Sequence, residues 1–181
     1  GSFKAYNGKS INGIARLNTD GSLDASFHSG LAEGDVVNFM LLQPNNQLII
    51  GGTFKKYGKT RVNQIARINS NGTLDTTFNA TIGANGSITK AVIEPTGKII
   101  IIGNFTQYNN VNKNGIARLT SNGQLDPTFN YTDTTRHEPT NLALQTNGKI
   151  VVTFTDNYEK NNLLVRLNTN GEVDPSFMVE N

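Results

Sequence analysis

The chain has 181 residues, which is long enough for one domain with a substantial buried core. Its 16 basic and 14 acidic side chains leave a formal charge of only +2, which excludes the strongly basic surface typical of a nucleic-acid-binding protein. The absence of cysteine excludes disulfides, thiolate chemistry and cysteine-based zinc sites, and no apolar run approaches the roughly 18 residues of a membrane-spanning helix.

One sequence frame recurs four times along the chain. Residues 1–27 supply the second half of a repeat unit (unit 1), and three full units follow at 28–78 (unit 2), 79–129 (unit 3) and 130–177 (unit 4). Each frame has an arginine, an aspartate eight residues later and a closing phenylalanine, and the arginines step by 51, 51 and 48 residues. A fixed period of about 20 to 50 residues is typical of a repeat architecture, so we predict a single domain over 1–181. The repeated residues are Arg16, Asp24 and Phe27; Arg67, Asp75 and Phe78; Arg118, Asp126 and Phe129; and Arg166, Asp174 and Phe177.

Each full unit of about 51 residues is predicted to contain four short antiparallel strands. In unit 2, residues 36–42 and 47–52 are the first two strands, joined by a turn at Pro44. The second strand is a continuous apolar run, also at 98–103, and such a run is typical of a strand buried on both faces. The third strand carries the repeated arginine, and the fourth ends near the repeated phenylalanine. Radial repetition of such sheets forms a β-propeller, so the predicted fold is all-β, a β-propeller or a propeller segment.

A turn dipeptide follows the third strand in all four units. It is Asp20-Gly21 in unit 1 and Asn-Gly at 71–72, 122–123 and 170–171 in the others. Asn-Gly and Asp-Gly favour a two-residue type I′ hairpin, in which both central residues have positive φ. We therefore predict a type I′ turn in every unit.

Three motifs together carry a resemblance to a known family. They are Gly-x-Phe-x-x-Tyr at 52–57, Ile-Ala-Arg-Ile-Asn at 65–69 and Asn-Gly-x-Leu-Asp-x-x-Phe at 71–78, with copies in register in units 1 and 3. Unit 4 departs most, with Leu164-Val165 in place of Ile-Ala and Thr153 in place of glycine, so we expect it to be locally altered. This combination resembles the delta-60-repeat β-propellers of bacterial and phage proteins, over nearly the whole chain. The resemblance implies a scaffold in large secreted, surface-attached or virion-associated proteins. It implies no catalytic residue, because no activity is common to that family.

The repeated arginines and aspartates have two interpretations, a ring of ligand-binding arginines or structural ion pairs. A residue present in every unit usually serves the unit itself, so we favour the ion pairs, and we interpret the repeated phenylalanine as a packing anchor between units. The segment Asn18-x-Asp20-Gly21-x-x-Asp24 faintly resembles a calcium loop, but turn chemistry explains the same positions. We expect no metal and no cofactor.

The units differ most in their second connection and in the linker to the next unit, which emerge at the same end of an antiparallel sheet. Variable loops on a rigid scaffold are where binding residues usually lie. The basic loop in unit 2 suits an acidic glycan or protein, and the alternative is a solvated loop without a ligand. The candidate binding residues are Lys55, Lys56, Tyr57, Lys59, Arg61, Tyr131, Arg136 and His137.

These observations favour a non-enzymatic, extracellular structural or adhesive scaffold that binds protein or glycan through the variable loops. The alternative is a structural component of a phage tail or neck, and an enzyme with a site assembled across units is less favoured. The open sheet edges are association hazards, so we expect further units of the same chain, or another subunit, to cover them. Two copies would total about seven units, although unit 1 lacks its first two strands.

Overall fold

The computed structural model describes residues 1–78, 82–132, 138–155 and 162–177. Every strand pair in these ranges is antiparallel. The strands are β1 (Ala5–Tyr6), β2 (Lys9–Ser10), β3 (Val37–Leu42), β4 (Leu48–Gly52), β5 (Lys56–Tyr57), β6 (Thr60–Arg61), β7 (Ile65–Ile68), β8 (Ile88–Ile93), β9 (Ile99–Gly103), β10 (Gln107–Tyr108), β11 (Val111–Asn112), β12 (Ile116–Leu119), β13 (Glu138–Leu144), β14 (Ile150–Thr155) and β15 (Asn162–Leu167).

Each full unit forms one three-stranded sheet, with the orders β3-β4-β7, β8-β9-β12 and β13-β14-β15. The fourth strand of each unit is reduced to a single antiparallel bridge to the third. These bridges join Leu17 to Leu23, Ile68 to Leu74, Leu119 to Leu125 and Leu167 to Val173. The predicted all-β fold of repeated antiparallel sheets is confirmed.

The sheets stack face to face, and the core lies between consecutive units. Alternate side chains of the central strand point to opposite faces, so Ile49 packs in the cluster shared with unit 3, whereas Ile50 packs in the cluster shared with unit 1. Both are fully buried, as predicted for a strand covered on both sides. Unit 1 has no inner strands, and Met40 and Leu42 on the face of β3 that looks toward it are therefore exposed.

The repeated turn after the third strand differs from the predicted type I′ hairpin. In unit 1 the Gly21 N–H donates to the Asn18 carbonyl at 3.0 Å, and the Asn18 N–H donates to the Ser22 carbonyl at 2.8 Å. Gly21 has a φ of +83°, but Asp20 is not in the positive-φ region. This is a type I turn followed by a left-handed glycine, the usual three-residue hairpin loop, so the type I′ prediction was wrong.

Positive φ at both central residues occurs instead in the small hairpins of the second connection. Asn7 and Gly8 have φ of 46° and 73° between β1 and β2, and Asn109 and Asn110 have 49° and 63° between β10 and β11. These hairpins, with β5 and β6 in unit 2, form two-stranded ribbons in the segment that the sequence indicated only as a loop. The Asn-Gly at 7–8 was the available signal for this.

The repeated arginine bonds within its own unit in all four units, and in units 1 to 3 it also bonds to the next unit. Its Nε donates to the aspartate Oδ2 of the same unit, at 2.8 Å in unit 1, 2.7 Å in unit 2, 2.8 Å in unit 3 and 2.7 Å in unit 4. Its guanidinium lies 4.6–5.4 Å from the centroid of the closing phenylalanine ring, within the range for a cation–π contact. Its Nη1 reaches a backbone carbonyl in the turn of the following unit. The recipients are Ser70 for Arg16, Ser121 for Arg67 at 2.9 Å and Thr169 for Arg118 at 2.6 Å.

The aspartate of each unit is held by several donors at once. The Oδ1 atom of Asp75 accepts the backbone N–H and the hydroxyl of Thr77, and its Oδ2 accepts Gln47 Nε2 at 2.8 Å as well as Arg67. Burial opposes ionisation of Asp75, but these hydrogen bonds outweigh it and lower its pKa to about 2. In unit 4 the leading cause is Lys149, whose Nζ lies 2.7 Å from Asp174 and lowers the pKa of that carboxyl.

We expect Arg118→Ala to lower the free energy of unfolding by about 3 kcal/mol, because it removes the guanidinium that lies 2.8 Å from the buried Asp126 carboxylate. The same change at Arg16, whose side chain is 39% exposed, should cost about 1 kcal/mol or less. Urea unfolding followed by circular dichroism measures both variants. Equal losses at the two positions would contradict the account.

Acidification should destabilise the protein in a defined window. The folded-state pKa of Asp75 lies below its ordinary value of 3.8, and those of Asp126 and Asp174 are lowered too. Such groups add stability that is complete above the unfolded pKa and is lost as the pH falls through the folded pKa. The urea midpoint should therefore change little above pH 5, and fall between about pH 4 and pH 2. In Asp75→Asn the urea midpoint should fall less steeply with pH. A pH dependence equal to that of the wild type would contradict the assignment of this effect to Asp75.

Candidate functional site

The second connections and the linkers between units form one surface, which we call the long-loop face. In unit 2 the ribbon of this face reaches the tight turn, where the Tyr57 hydroxyl donates to the Gly72 carbonyl. The long-loop face contains the ribbons β5-β6 and β10-β11 and the linker segments beside them. The turn end is occupied by the repeated arginine and aspartate side chains. The long-loop face is therefore the part of the scaffold on which side chains vary between units.

The predicted binding residues separate into three groups. Lys55, Lys56, Lys59 and Arg61 are exposed. Tyr57 and Tyr131 are buried, so their rings belong to the core and not to a binding surface. Arg136 and His137 lie outside the described residues.

The two tyrosines have structural contacts. The Tyr57 hydroxyl donates to the Gly72 carbonyl at 2.5 Å, and burial raises the pKa of this phenol. Tyr131 stacks on Phe154, with ring centroids 6.0 Å apart and planes inclined by 19°. Both rings are covered by neighbouring elements, which removes them as ligand-binding candidates.

A cleft of about 260 Å³ lies on the long-loop face between units 2 and 3. It brings Lys55 and Arg61 together, but neither Lys56 nor Lys59 contributes to its lining. The remaining described lining residues are amides or apolar residues, and none of the described lining residues is acidic. The lining consists of Lys55, Arg61, Asn63, Gln64, Ile82, Gly83, Ala84, Asn85, Gln107 and Asn110.

Asparagine side chains fix the shape of this cleft by bonding to backbone, Asn63 across units and Asn85 within unit 3. Asn63 donates from Nδ2 to the Ile82 carbonyl, and its Oδ1 accepts Arg61 Nε at 3.1 Å. The Asn85 Oδ1 accepts the N–H groups of Thr106 and Gln107, both at 2.9 Å. These hydrogen bonds therefore fix the cleft walls, and the bond to Asn63 orients Arg61.

The sequence contains no motif that predicts this amide lining. Asn63 and Gln64 have positive φ of 41° and 74°, unusual for residues other than glycine, and they are buried at the base of the cleft. Asn85 comes from the linker of the next unit and is more than 20 residues away in sequence. Only the stacking of units brings these side chains together.

The four-unit pattern is recognised by a protein-family profile described as "Domain of unknown function (DUF5122) beta-propeller". It matches residues 1–27, 43–78, 94–129 and 145–177. The chain belongs to this β-propeller family. Each of the four matched blocks of this DUF5122 protein ends at the repeated phenylalanine, and three of them begin in the turn between the first and second strands. Comparison with curated proteins gives no match.

Groups of three or more His, Cys, Asp or Glu residues with a metal-binding arrangement do not occur in the described ranges. In the described ranges there is also no helix with the length and apolar character needed to cross a membrane.

Proposed function

We propose that this DUF5122 chain is a non-enzymatic extracellular scaffold that binds an acidic glycan in the cleft between units 2 and 3. The observation that carries the proposal is that Lys55 and Arg61 line the same cleft as five amide side chains, Asn63, Gln64, Asn85, Gln107 and Asn110. Cationic groups bind carboxylates by charge-assisted hydrogen bonds, and amides bind hydroxyl groups as both donors and acceptors. A uronic acid residue presents both kinds of group.

The size and rigidity of the cleft support a small ligand group. A volume of about 260 Å³ is below the roughly 300–1,000 Å³ typical of pockets for drug-sized molecules, and therefore suits a single sugar ring of a longer chain. The hydrogen bonds of Asn63 and Asn85 hold the walls in place before binding, which reduces the entropy lost when a ligand is bound.

The extracellular setting is part of the proposal and is supported by the resemblance to delta-60-repeat proteins. Its adhesive role follows from the architecture, because a rigid stack of units presents the variable long-loop face to one side. Cations and amides in a cleft bind a ligand without supplying a nucleophile or a general base, so the proposal is of recognition and not of turnover.

The test is titration calorimetry with oligogalacturonate and with the same oligosaccharide after methyl esterification. Wild-type protein should bind the acidic form more tightly, and the preference should weaken as salt is added. Lys55→Gln together with Arg61→Gln should reduce affinity for the acid form about tenfold or more, as expected for lost charge-assisted bonds.

Lys59→Gln is the matched control, because it removes a cation from the same ribbon but outside the cleft. It should change the affinity by less than about threefold, which is the effect of a distant screened charge. Equal binding of the acidic and esterified oligosaccharides would overturn the proposal. So would an effect of Lys59→Gln as large as that of the cleft variants.

A further inference from the structure

One segment of the long-loop face carries a concentrated positive charge. It consists of residues 55–61 of unit 2, which contain β5 and β6, and we call it the basic ribbon. The acidic residues nearest to it in sequence are Asp35 and Asp75. Its cations are exposed, and none of them forms an ion pair with a carboxylate of the described residues, whereas each repeated arginine lies 2.7–2.8 Å from its aspartate. The cations of the basic ribbon are Lys55, Lys56, Lys59 and Arg61.

Lys55 has an equivalent in unit 1 that is neutralised by an acidic residue. Lys4 stands one period of 51 residues earlier, and its Nζ lies 2.7 Å from the Glu33 carboxylate at the start of unit 2. The residue one period after Glu33 is Ala84, which lines the cleft between units 2 and 3. The junction of units 2 and 3 thus keeps the lysine and lacks its acidic partner, so the Lys55 ammonium is available to a ligand carboxylate.

Lys56 and Arg61 stand directly opposite each other in the basic ribbon. They are register partners across β5 and β6, so their side chains leave the ribbon on the same face. The equivalent pair in unit 3 is uncharged, and there Gln107 Nε2 donates to Asn112 Oδ1 at 3.0 Å. The ribbon of unit 1 likewise has an uncharged pair at residues 5 and 10. Of these three ribbons, the basic ribbon alone opposes two positive charges.

This pair of cations favours a bound anion. Like charges directly opposite each other in a sheet repel and therefore destabilise the free protein. A carboxylate that lies between the two side chains accepts a charge-assisted hydrogen bond from each of them and removes the repulsion. Binding of an anion to Lys56 and Arg61 thus gains both the new bonds and the relief of an unfavourable contact.

Arg61 belongs both to this pair and to the cleft. It lines the cleft of about 260 Å³, whereas Lys56 does not. Its Nε donates to Asn63 Oδ1 at 3.1 Å, and its two Nη groups form no hydrogen bond with the described residues. A guanidinium has five N–H donors, so four remain for acceptors on either side of it. The positive surface therefore continues from the cleft through Arg61 to Lys56.

We propose that the ligand of the cleft is a polyuronate, a glycan with a carboxylate on every sugar residue, and that Lys56 and Arg61 bind the carboxylate of the sugar next to the one in the cleft. This inference rests on the proposed function, because the cleft holds the first carboxylate. A cleft that admits one sugar ring leaves the neighbouring sugar outside, where Lys56 is the cation opposite Arg61. The inference adds Lys56 as a binding residue and specifies the spacing of charge along the glycan.

A glycan in which uronic acids alternate with neutral sugars lacks this second charge. When its uronic acid is in the cleft, the adjoining sugar presents hydroxyl or amide groups to Lys56. These groups bind a cation more weakly than a carboxylate does. The preference for consecutive charges therefore depends on Lys56, whereas binding of the first carboxylate depends on Lys55 and Arg61.

The test is titration calorimetry at low salt with oligogalacturonate and with a hyaluronan oligosaccharide of the same length, in which neutral sugars alternate with uronic acids. Lys56→Gln should weaken binding of oligogalacturonate about fivefold or more, and binding of hyaluronan less than about twofold. Each variant is compared with the wild type on the same glycan, which cancels the other differences between the sugars. Lys59→Gln is the matched control, because Lys59 lies in the turn of the ribbon and has no register partner in β5 or β6.

The outcomes separate this inference from the proposed function. Equal binding of acidic and methyl-esterified oligogalacturonate overturns the proposed function and this inference with it. A preference for the acidic form, together with an equal effect of Lys56→Gln on both glycans, overturns this inference alone. An effect of Lys59→Gln on oligogalacturonate as large as that of Lys56→Gln does the same.

Thermal unfolding without a glycan is a second readout. Lys56→Gln removes the repulsion from Arg61, so its Tm should rise by about 1–3 °C at low salt and equal that of the wild type at about 1 M salt. Lys59→Gln should change the Tm less. A lower Tm in Lys56→Gln would mean that the lysine stabilises the ribbon, and an unchanged Tm at low salt would mean that the two cations do not repel each other. Either result contradicts the proposed pair.

Discussion

The structure depends on a guanidinium group that is shared between two units. In unit 3, Arg118 bonds to the Asp126 carboxylate, lies 4.9 Å from the centroid of the Phe129 ring and donates to the Thr169 carbonyl of unit 4. A planar guanidinium has five donors in a fixed fork, so it satisfies these directions at once, which a lysine ammonium does not. Because the same group orders the turn within a unit and the contact between units, local folding and stacking are coupled.

Because of this coupling, the tight turns and the long loops differ in how well they tolerate substitution. The turn end is occupied by the arginine, the aspartate and the turn glycine, so substitutions there disturb two units. The long-loop face accommodates ribbons and linkers of different sequence, and its contact across units 2 and 3 is the bond from Asn63 to the Ile82 carbonyl. A cleft lined by Lys55 and Arg61 therefore forms where units 2 and 3 differ, on a scaffold whose spacing is also held by the bond from Arg67 to the Ser121 carbonyl.

The period, the strands and the double-sided burial of the central strand were predictable, because each depends on local pattern repeated in register. Turn type was not, since Asp-Gly and Asn-Gly suit both a type I′ loop and the type I turn with a left-handed glycine found at Gly21. Tyr57 and Tyr131 were predicted on exposed loops, and stacking of neighbouring elements buries both. The cleft joins Asn63 of unit 2 to Asn85 of unit 3, a pairing that arises only from tertiary structure.

The most direct test of the shared guanidinium is native-state hydrogen exchange in Arg118→Lys, which keeps the charge but removes the fork. The amide to follow is that of Asn130, which donates to the Asn170 carbonyl at 2.7 Å beside the Arg118 contact with unit 4. If the arginine couples the units, protection of Asn130 falls together with that of the Asp126 turn. If protection falls in the Asp126 turn while Asn130 exchanges at its wild-type rate, the arginine stabilises its own unit only, and the central claim is wrong.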